Sequence, residues 1–193
     1  MNALSFKDEL LRKAIHACNS IIALSLYVLD KGDVLLIVGI LGALIVSFDF
    51  SRIYSSYIQK LYNSIFGRVT RDFEAYRLTG ASYVMIGAFI VLVLFEAKIC
   101  IPALLIMSFS DSAAAIVGKS YGKTSIFDKT LEGSFAFLVT SLLIVVFFAP
   151  DIDLLFSIIA IIAVTIVELI PKYGLDDNLL IPIISASIMS IGG

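Results

Sequence analysis

The chain reads as an all-α protein, a polytopic membrane helix bundle of about seven transmembrane helices plus one cytoplasmic interfacial amphipathic helix. Three observations predict this. Hydrophobic residues make up 60% of the 193 positions and charged residues only 16%, whereas a soluble domain sits nearer half apolar and a quarter charged. Apolar runs recur at about the length that crosses a bilayer. The charges that remain are sorted to one side of those runs.

The runs come in order at residues 14–29, 34–50, 79–95, 99–117, 135–149, 154–170 and 179–191, the last being short for a span. Between the second and third, residues 51–77 carry Ile53, Tyr57, Leu61, Ile65 and Val69 at every fourth position, with Lys60, Arg68 and Arg71 on other faces. That pattern predicts a helix lying on the membrane surface. No Pro/Ser-rich linker, low-complexity stretch or internal repeat divides the chain, so residues 1–193 are expected to form a single integral-membrane catalytic domain. The run after Lys7, Arg12 and Lys13 continues to Leu29 without a small-residue cleavage site, unlike a cleavable signal peptide. Cys18 and Cys100 sit in or beside apolar runs, form no CxxC, and are read as small hydrophobes.

With the N-terminus in and the C-terminus out, Lys7, Arg12, Lys13, Arg52, Lys60, Arg68, Arg71, Arg77, Lys119, Lys123, Lys129 and Lys172 face the cytoplasm. Lys31 and Lys98 face out, and twelve against two is the positive-inside bias. His16, Asp49, Asp111, Glu132, Glu168, Asp176 and Asp177 fall on the same inner side. Ionisable groups at membrane depth are costly and mark function. Their convergence, with glycines among them, predicts an active site at the inner interface.

The richest segment is Ser110-Asp111-Ser112-Ala113-Ala114-Ala115-Ile116-Val117-Gly118-Lys119-Ser120-Tyr121-Gly122-Lys123, followed by Lys129-Thr130-Leu131-Glu132-Gly133-Ser134. An acid can hold a divalent metal, glycines admit backbone N–H groups to a phosphate, and lysines neutralise it. Gly118 to Thr124 is not a P-loop, because Val117 stands where that motif needs its first glycine. A phosphate-binding turn without that fold is expected there; a glycine-marked helix end is the plainer alternative. Asp111, among small residues, reads either as a metal-holding acid or as a buried acid at a tight helix interface. Asp49 and Arg52, at i and i+3, share one helix face at the inner end of the second span and, taken alone, read as an ion pair. Arg12 and His16 lie at i and i+4 on the first span, beside Lys13. Glu74 and Arg77 precede Thr79-Gly80-Ala81-Ser82-Tyr83 with the same ambiguity. Asp176-Asp177-Asn178, between Glu168 and Pro182, read as a metal or ribose site or as the N-cap of the last helix.

These residues, in this order, resemble the CTP-dependent lipid kinases: dolichol kinase, phytol kinase and the yeast-type diacylglycerol kinase. Residues 111–134 carry the specific part. Arg12-Lys13 with His16, Asp49-x-x-Arg52, Glu74 with Gly80 and Tyr83, and Glu168 with Asp176-Asp177-Asn178 and Pro182 each resemble a family element. The same block is similar to phosphatidate cytidylyltransferases. Those enzymes place a serine and a proline just ahead of the Lys-Thr, where this chain has Ser125-Ile126-Phe127-Asp128. They also end in a glycine- and histidine-rich segment, where this chain has Ile183-Ile184-Ser185-Ala186. Both departures favour the kinase.

The resemblance implies transfer of the γ-phosphoryl group of CTP, with Mg²⁺, to the hydroxyl of a membrane lipid alcohol. It implies Asp111 and Lys129 as catalytic residues, and a metal held by Asp111 with Asp177 or Glu132. Nucleotide contacts would come from Arg12, Lys13, His16, Asp49, Arg52, Gly118, Lys119, Gly122, Lys123, Lys129, Thr130, Glu132, Gly133, Asp176 and Asn178. Asp111 is the expected acceptor of the lipid hydroxyl proton. The apolar spans would form a lateral groove for the lipid tail. Partners are CTP, the lipid alcohol and the bilayer, with no nucleic acid, and a homodimer is compatible with the sequence. The expected location is the prokaryotic plasma membrane, with the active site on the cytoplasmic side. A cytidylyltransferase-like enzyme making a CDP-lipid is the alternative reaction, and a small membrane transporter the alternative class. A transporter usually shows repeated halves and midplane charges, neither of which is visible here.

Overall fold

Runs of Leu, Ile, Val and Phe bury their backbone where no water can bond to it, and a helix satisfies every N–H and C=O internally. The computed structural model, which describes residues 5–170 and 176–193, is accordingly 79% helical. Lys172, expected on the inner face, lies outside the described residues.

The chain begins with α1 (Phe6–Cys18), capped by the Ser5 hydroxyl, and α2 (Ser20–Ser25). The span expected at residues 14–29 is therefore broken. Asn19 N–H and Ile22 N–H bond three residues back rather than four, to His16 O and Asn19 O, the tight geometry of a 3₁₀ step. Next come α3 (Lys31–Tyr54), which overruns its expected run at both ends, and α4 (Ser56–Phe66). The surface helix expected over residues 51–77 is thus shorter. Ile53 belongs to α3, and a 3₁₀ turn (Asp72–Tyr76) follows α4. Tyr57, Leu61 and Ile65 are exposed along one side of α4, as an interfacial helix requires. Its other side lays Tyr62 on the Arg52 guanidinium, 4.6 Å from ring centroid to carbon. Burial there pushes the Tyr62 phenol above its ordinary pKa.

α5 (Gly80–Leu94) leads to α6 (Ala97–Leu105), a π-turn (Ile106–Ser110) and α7 (Asp111–Tyr121), which together form one 25-residue helix, Ala97–Tyr121. This is the most buried helix of the molecule, with Leu104, Leu105, Ile106 and Met107 all enclosed. The remainder is α8 (Leu131–Phe148), α9 (Leu154–Leu169) and α10 (Asp177–Met189), with α10 packed on α5, α6 and α9.

Three helices are long and apolar enough to cross a membrane: Lys31–Tyr54, Ala97–Tyr121 and Leu131–Phe148. α5, α9 and α10 are shorter apolar helices, so the described residues hold three full-length candidates rather than seven. The outer faces remain apolar, with Leu36, Leu44, Leu155 and Phe147 exposed. A soluble surface avoids contiguous apolar patches of that kind, and the protein is a membrane protein. Inside, helices meet on small residues. Ala88, Ala103, Ala160 and Ala186 are fully buried, and Ser141 Oγ donates to Ser110 Oγ at 2.9 Å across α8 and the π-turn, as membrane helix interfaces commonly do.

The all-α expectation also missed a small hairpin, β1 (Ser125–Ile126) paired antiparallel with β2 (Lys129–Thr130). Its tip places Phe127 at φ 54°, a left-handed conformation usually left to glycine or asparagine. No Asn-Gly or Asp-Gly marks this turn, so sequence pattern offered no hairpin signal.

The two ends of the bundle differ. At one end, Asp153 N–H donates to Gly192 O at 2.9 Å and Lys31 reaches Phe95 O. At the other lie Ser5, the 3₁₀ turn, the start of α5, the hairpin and the start of α10, and nearly all the candidate residues.

Candidate active site

The π-turn organises the centre of the site. It absorbs one extra residue, so α6 keeps its apolar face in the core while α7 begins by aiming Asp111 at α1. Asp111 is buried and paired with the Lys13 ammonium, itself only 4% exposed. His16, one turn along α1, brings Nε2 to 3.4 Å from Asp111 Oδ2 and to 3.0 Å from Met107 O, a carbonyl of the π-turn. A carbonyl only accepts, so Nε2 carries the proton, and Nδ1 faces the Asn19 side-chain amide at 3.5 Å. Ser112 Oγ donates to Ser108 O at 2.7 Å and stands 3.3 Å from Lys13 O. Asp111 thus has two partners from α1 whose positions are themselves fixed.

A second charged cluster lies within electrostatic reach of the first, Lys129 acting on both Asp111 and Lys13. From β2, Lys129 Nζ reaches Glu168 Oε1 at 2.7 Å and Asp177 Oδ2 at 3.4 Å. Glu168, at the end of α9, is 2% exposed and also accepts from Ser134 Oγ at 3.0 Å. One lysine therefore joins the hairpin, α8, α9 and α10. The sequence places Glu168 on the inner face and in a family-like element with Asp176-Asp177-Asn178, but not beside Lys129, because the two lie 39 residues apart and pattern carries no long-range pairing.

Arg12 completes this end. Its guanidinium lies 3.7 Å from both Glu9 and Glu74, and its Nε is buried without a hydrogen-bond partner. Glu74 accepts from Arg71 N–H at 2.7 Å and Gly80 N–H at 3.2 Å, holding the 3₁₀ turn to the start of α5. A Cβ on Gly80 would stand 3.0 Å from Asn178 Nδ2 and 3.6 Å from Arg12 Nη1. Glycine thus lets α5, α10 and α1 converge. Asp8, beside this rim, is hydrogen-bonded by Ser5 and paired with Arg68 at 3.0 Å. The Ser5 hydroxyl foremost, and then Arg68, hold its carboxyl below the usual value.

Other candidate residues have structural work. Asp49 and Arg52, 2% and 1% exposed, are bound to each other. Asp49 also accepts from Thr79 N–H, Thr79 Oγ1 and Ser82 Oγ at 2.6, 3.0 and 2.7 Å. Arg52 Nη2 donates to Glu74 O and Arg77 O, both at 2.7 Å. Together they clamp α3 to the start of α5.

Of the segment read as a phosphate-binding turn, residues 118–121 are the last turn of α7 and Gly122 caps it. A helix C-terminus points carbonyls outward and repels anions, so its backbone does not form the cradle expected there. Its glycines instead permit close packing. A Cβ on Gly118 would come within 2.8 Å of Thr130 Oγ1, and one on Gly133 within 2.8 Å of Ala114 O. Thr130 caps α8, accepting from Gly133 N–H at 3.2 Å. Glu132 receives Thr124 N–H at 3.2 Å and is half-buried, and Asp176 caps α10 by accepting Asn178 N–H at 2.9 Å. Lys119 and Lys123 are exposed at the rim, Lys119 reaching Ser5 O at 3.3 Å.

Asp111, Glu132 and Asp177 do not gather into one cluster. Among the described residues no group of three or more His, Cys, Asp or Glu side chains is placed to hold a metal ion unaided. Glu168 and Asp177 are the carboxylates that come together, on either side of Lys129.

No family model matches the chain, and no solved structure matches it. Among curated proteins it is 31% identical to the uncharacterized protein RP860 of Rickettsia prowazekii, over 95% of this chain and 94% of that one. It is 31% identical to the uncharacterized protein MJ1137 of Methanocaldococcus jannaschii, over 94% and 93%. It is 29% identical to the CTP-dependent diacylglycerol kinase 1 of Schizosaccharomyces pombe, over 96% and 94%.

Proposed function

We propose that this chain, which belongs to one family with the Rickettsia prowazekii protein and is a homologue of CTP-dependent diacylglycerol kinases, is itself a CTP-dependent lipid kinase. It would transfer the γ-phosphoryl group of CTP to the hydroxyl of a membrane lipid alcohol, diacylglycerol or a polyprenol- or phytol-like isoprenoid. The observation that carries the reading is the pair of cation–carboxylate contacts at one end of the bundle, Lys13 with Asp111, both buried, and the half-buried Lys129 with the buried Glu168 and with Asp177. Burying ions is costly, and an apolar bundle gains little stability from it.

Phosphoryl transfer asks a protein for positioning and charge neutralisation. Lys129, Arg12 and Lys13 supply positive charge from three directions, with Lys119 and Lys123 at the rim to draw the triphosphate in. Arg12 suits a phosphate because its acidic neighbours stand beyond hydrogen-bond distance. Asp111, oriented by Lys13 and His16, takes the proton as the lipid oxygen bonds to the γ-phosphorus. The bond from that phosphorus to the bridging β-oxygen breaks and CDP leaves. Magnesium fits the donor set, since it takes oxygen ligands and is commonly held by one or two carboxylates plus substrate phosphates. Asp177 and Glu168 would hold it, and it would neutralise phosphate charge. The positive-inside bias supports a site facing the cytoplasm.

The purified protein in detergent, with Mg²⁺, γ-labelled CTP, diacylglycerol, polyprenols, phytol and phosphatidic acid, tests this. Label in a phospholipid derived from an alcohol is expected and names the acceptor. Label released as pyrophosphate, with a CDP-lipid formed, would replace the kinase by a cytidylyltransferase. Absence of turnover with every lipid would remove the enzyme reading.

A further inference from the structure

Between α1, α7 and α8 runs a groove of about 510 Å³, inside the roughly 300–1,000 Å³ span of small-molecule sites. Ala14 and Ala17 of α1 and Ala113 of α7 line it with small side chains, and Phe147 and Phe148 line it at the end of α8. Among the described residues the charged side chain on its wall is Lys13, the partner of Asp111. The wall is open on one flank, where Leu143 and Phe147 are 53% and 71% exposed on the apolar outer face of α8.

We infer that this groove holds one apolar chain of the acceptor lipid and delivers the hydroxyl at its head to the Lys13–Asp111 pair. The inference rests on the phosphotransfer reading above and adds the path by which the acceptor arrives. Three features select that occupant. An apolar wall offers a water-soluble ligand nothing in exchange for its hydration. Ala14 is exposed and Ala17 and Ala113 are half-buried, so the floor of the groove opens to the apolar surroundings of the helices, where an alkyl chain is the molecule at hand. The groove meets the charged cluster at Lys13, where an alkyl chain ends and a polar head begins.

The test uses the full chain in lipid nanodiscs with a diacylglycerol bearing a diazirine partway along one acyl chain, irradiated and mapped by peptide mass spectrometry. Label is expected on groove-facing residues of α1, α7 and α8. Ala113→Phe should cut that labelling and raise KM for the lipid by at least about tenfold, a loss of about 1.4 kcal/mol, with KM for CTP unchanged. Leu143→Trp, at an exposed position that tolerates bulk, should act in the same direction and covers a failure of the first variant to fold. Label spread evenly over the outer helix faces and indifferent to both variants would overturn the inference. So would crosslinks to a second copy of the chain through the groove. Groove labelling that both variants abolish, in a protein without phosphotransfer, would preserve the groove and remove the kinase. Phosphotransfer with an unlabelled groove would do the reverse.

Discussion

Removing the Lys129 ammonium would strand Glu168, a carboxylate 2% exposed with Ser134 as its other partner. Breaking a fully buried pair from one side costs about 3–5 kcal/mol, because the remaining charge keeps its desolvation penalty; with Lys129 itself 35% exposed, water screens the pair and the cost is smaller. Lys129→Ala is therefore expected to lower the melting temperature in detergent and to abolish CTP turnover. Adding Glu168→Gln should restore the melting temperature and leave turnover absent; recovery of both would make Lys129 purely structural. Arg52 is the contrasting case. Its planar fork serves Asp49 and three backbone carbonyls at once, a geometry lysine cannot reproduce. Arg52→Lys should lower thermal stability while KM for CTP in the folded fraction stays within about twofold, as expected when a contact is remote from substrate. A large rise in KM would return Arg52 to the nucleotide site.

At the scale of elements, the crossing of α7 and α8 controls where Lys129 stands. Gly133→Ala would drive a methyl to 2.8 Å from Ala114 O, a backbone atom that cannot step aside alone. Overpacking of this kind costs about 1–3 kcal/mol, and the displaced α8 carries β2 and Lys129 with it. The variant should therefore lose stability and raise KM for CTP together. Gly32→Ala, where an added methyl meets nothing within 4 Å, should change neither and serves as the control. Elements also mark how far the sequence could be read. Hydropathy located the apolar segments from α3 onward because long apolar runs have few other uses. It missed the break at Asn19, since polarity at one position barely alters a window average. The π-turn was hidden because Ile106-Met107-Ser108-Phe109-Ser110 holds no glycine or proline to announce it. Asp111 and Lys129 stood out by chemical type, whereas the clamp role of Asp49 and the partner of Lys129 depend on contacts 30 and 39 residues apart.

For the whole molecule, the ends of the bundle should be distinguishable from outside. With Cys18 and Cys100 replaced by Ala, single cysteines at Asp30 and Asp151 should react with a membrane-impermeant maleimide in intact cells. Cysteines at Ser64 and Lys123, both exposed, should react only after the membrane is opened. The reverse pattern would turn the molecule over and place the charged end outside. Both predictions use the same property of the fold, which gathers its polar chemistry at one end and leaves the other nearly free of lysine.

The open flank of the groove beside Leu143 and Phe147 changes what substrate concentration means. A chain that slides in sideways never passes through water, so encounters are two-dimensional and their frequency follows the surface mole fraction of the lipid. Diluting the acceptor with inert detergent or phospholipid, at constant bulk amount, should slow the reaction as surely as withdrawing it, while CTP continues to obey volume concentration. A phosphorylated product would leave by the same flank with its new charge at the interface and its chain still in the bilayer, within reach of any membrane enzyme in that plane.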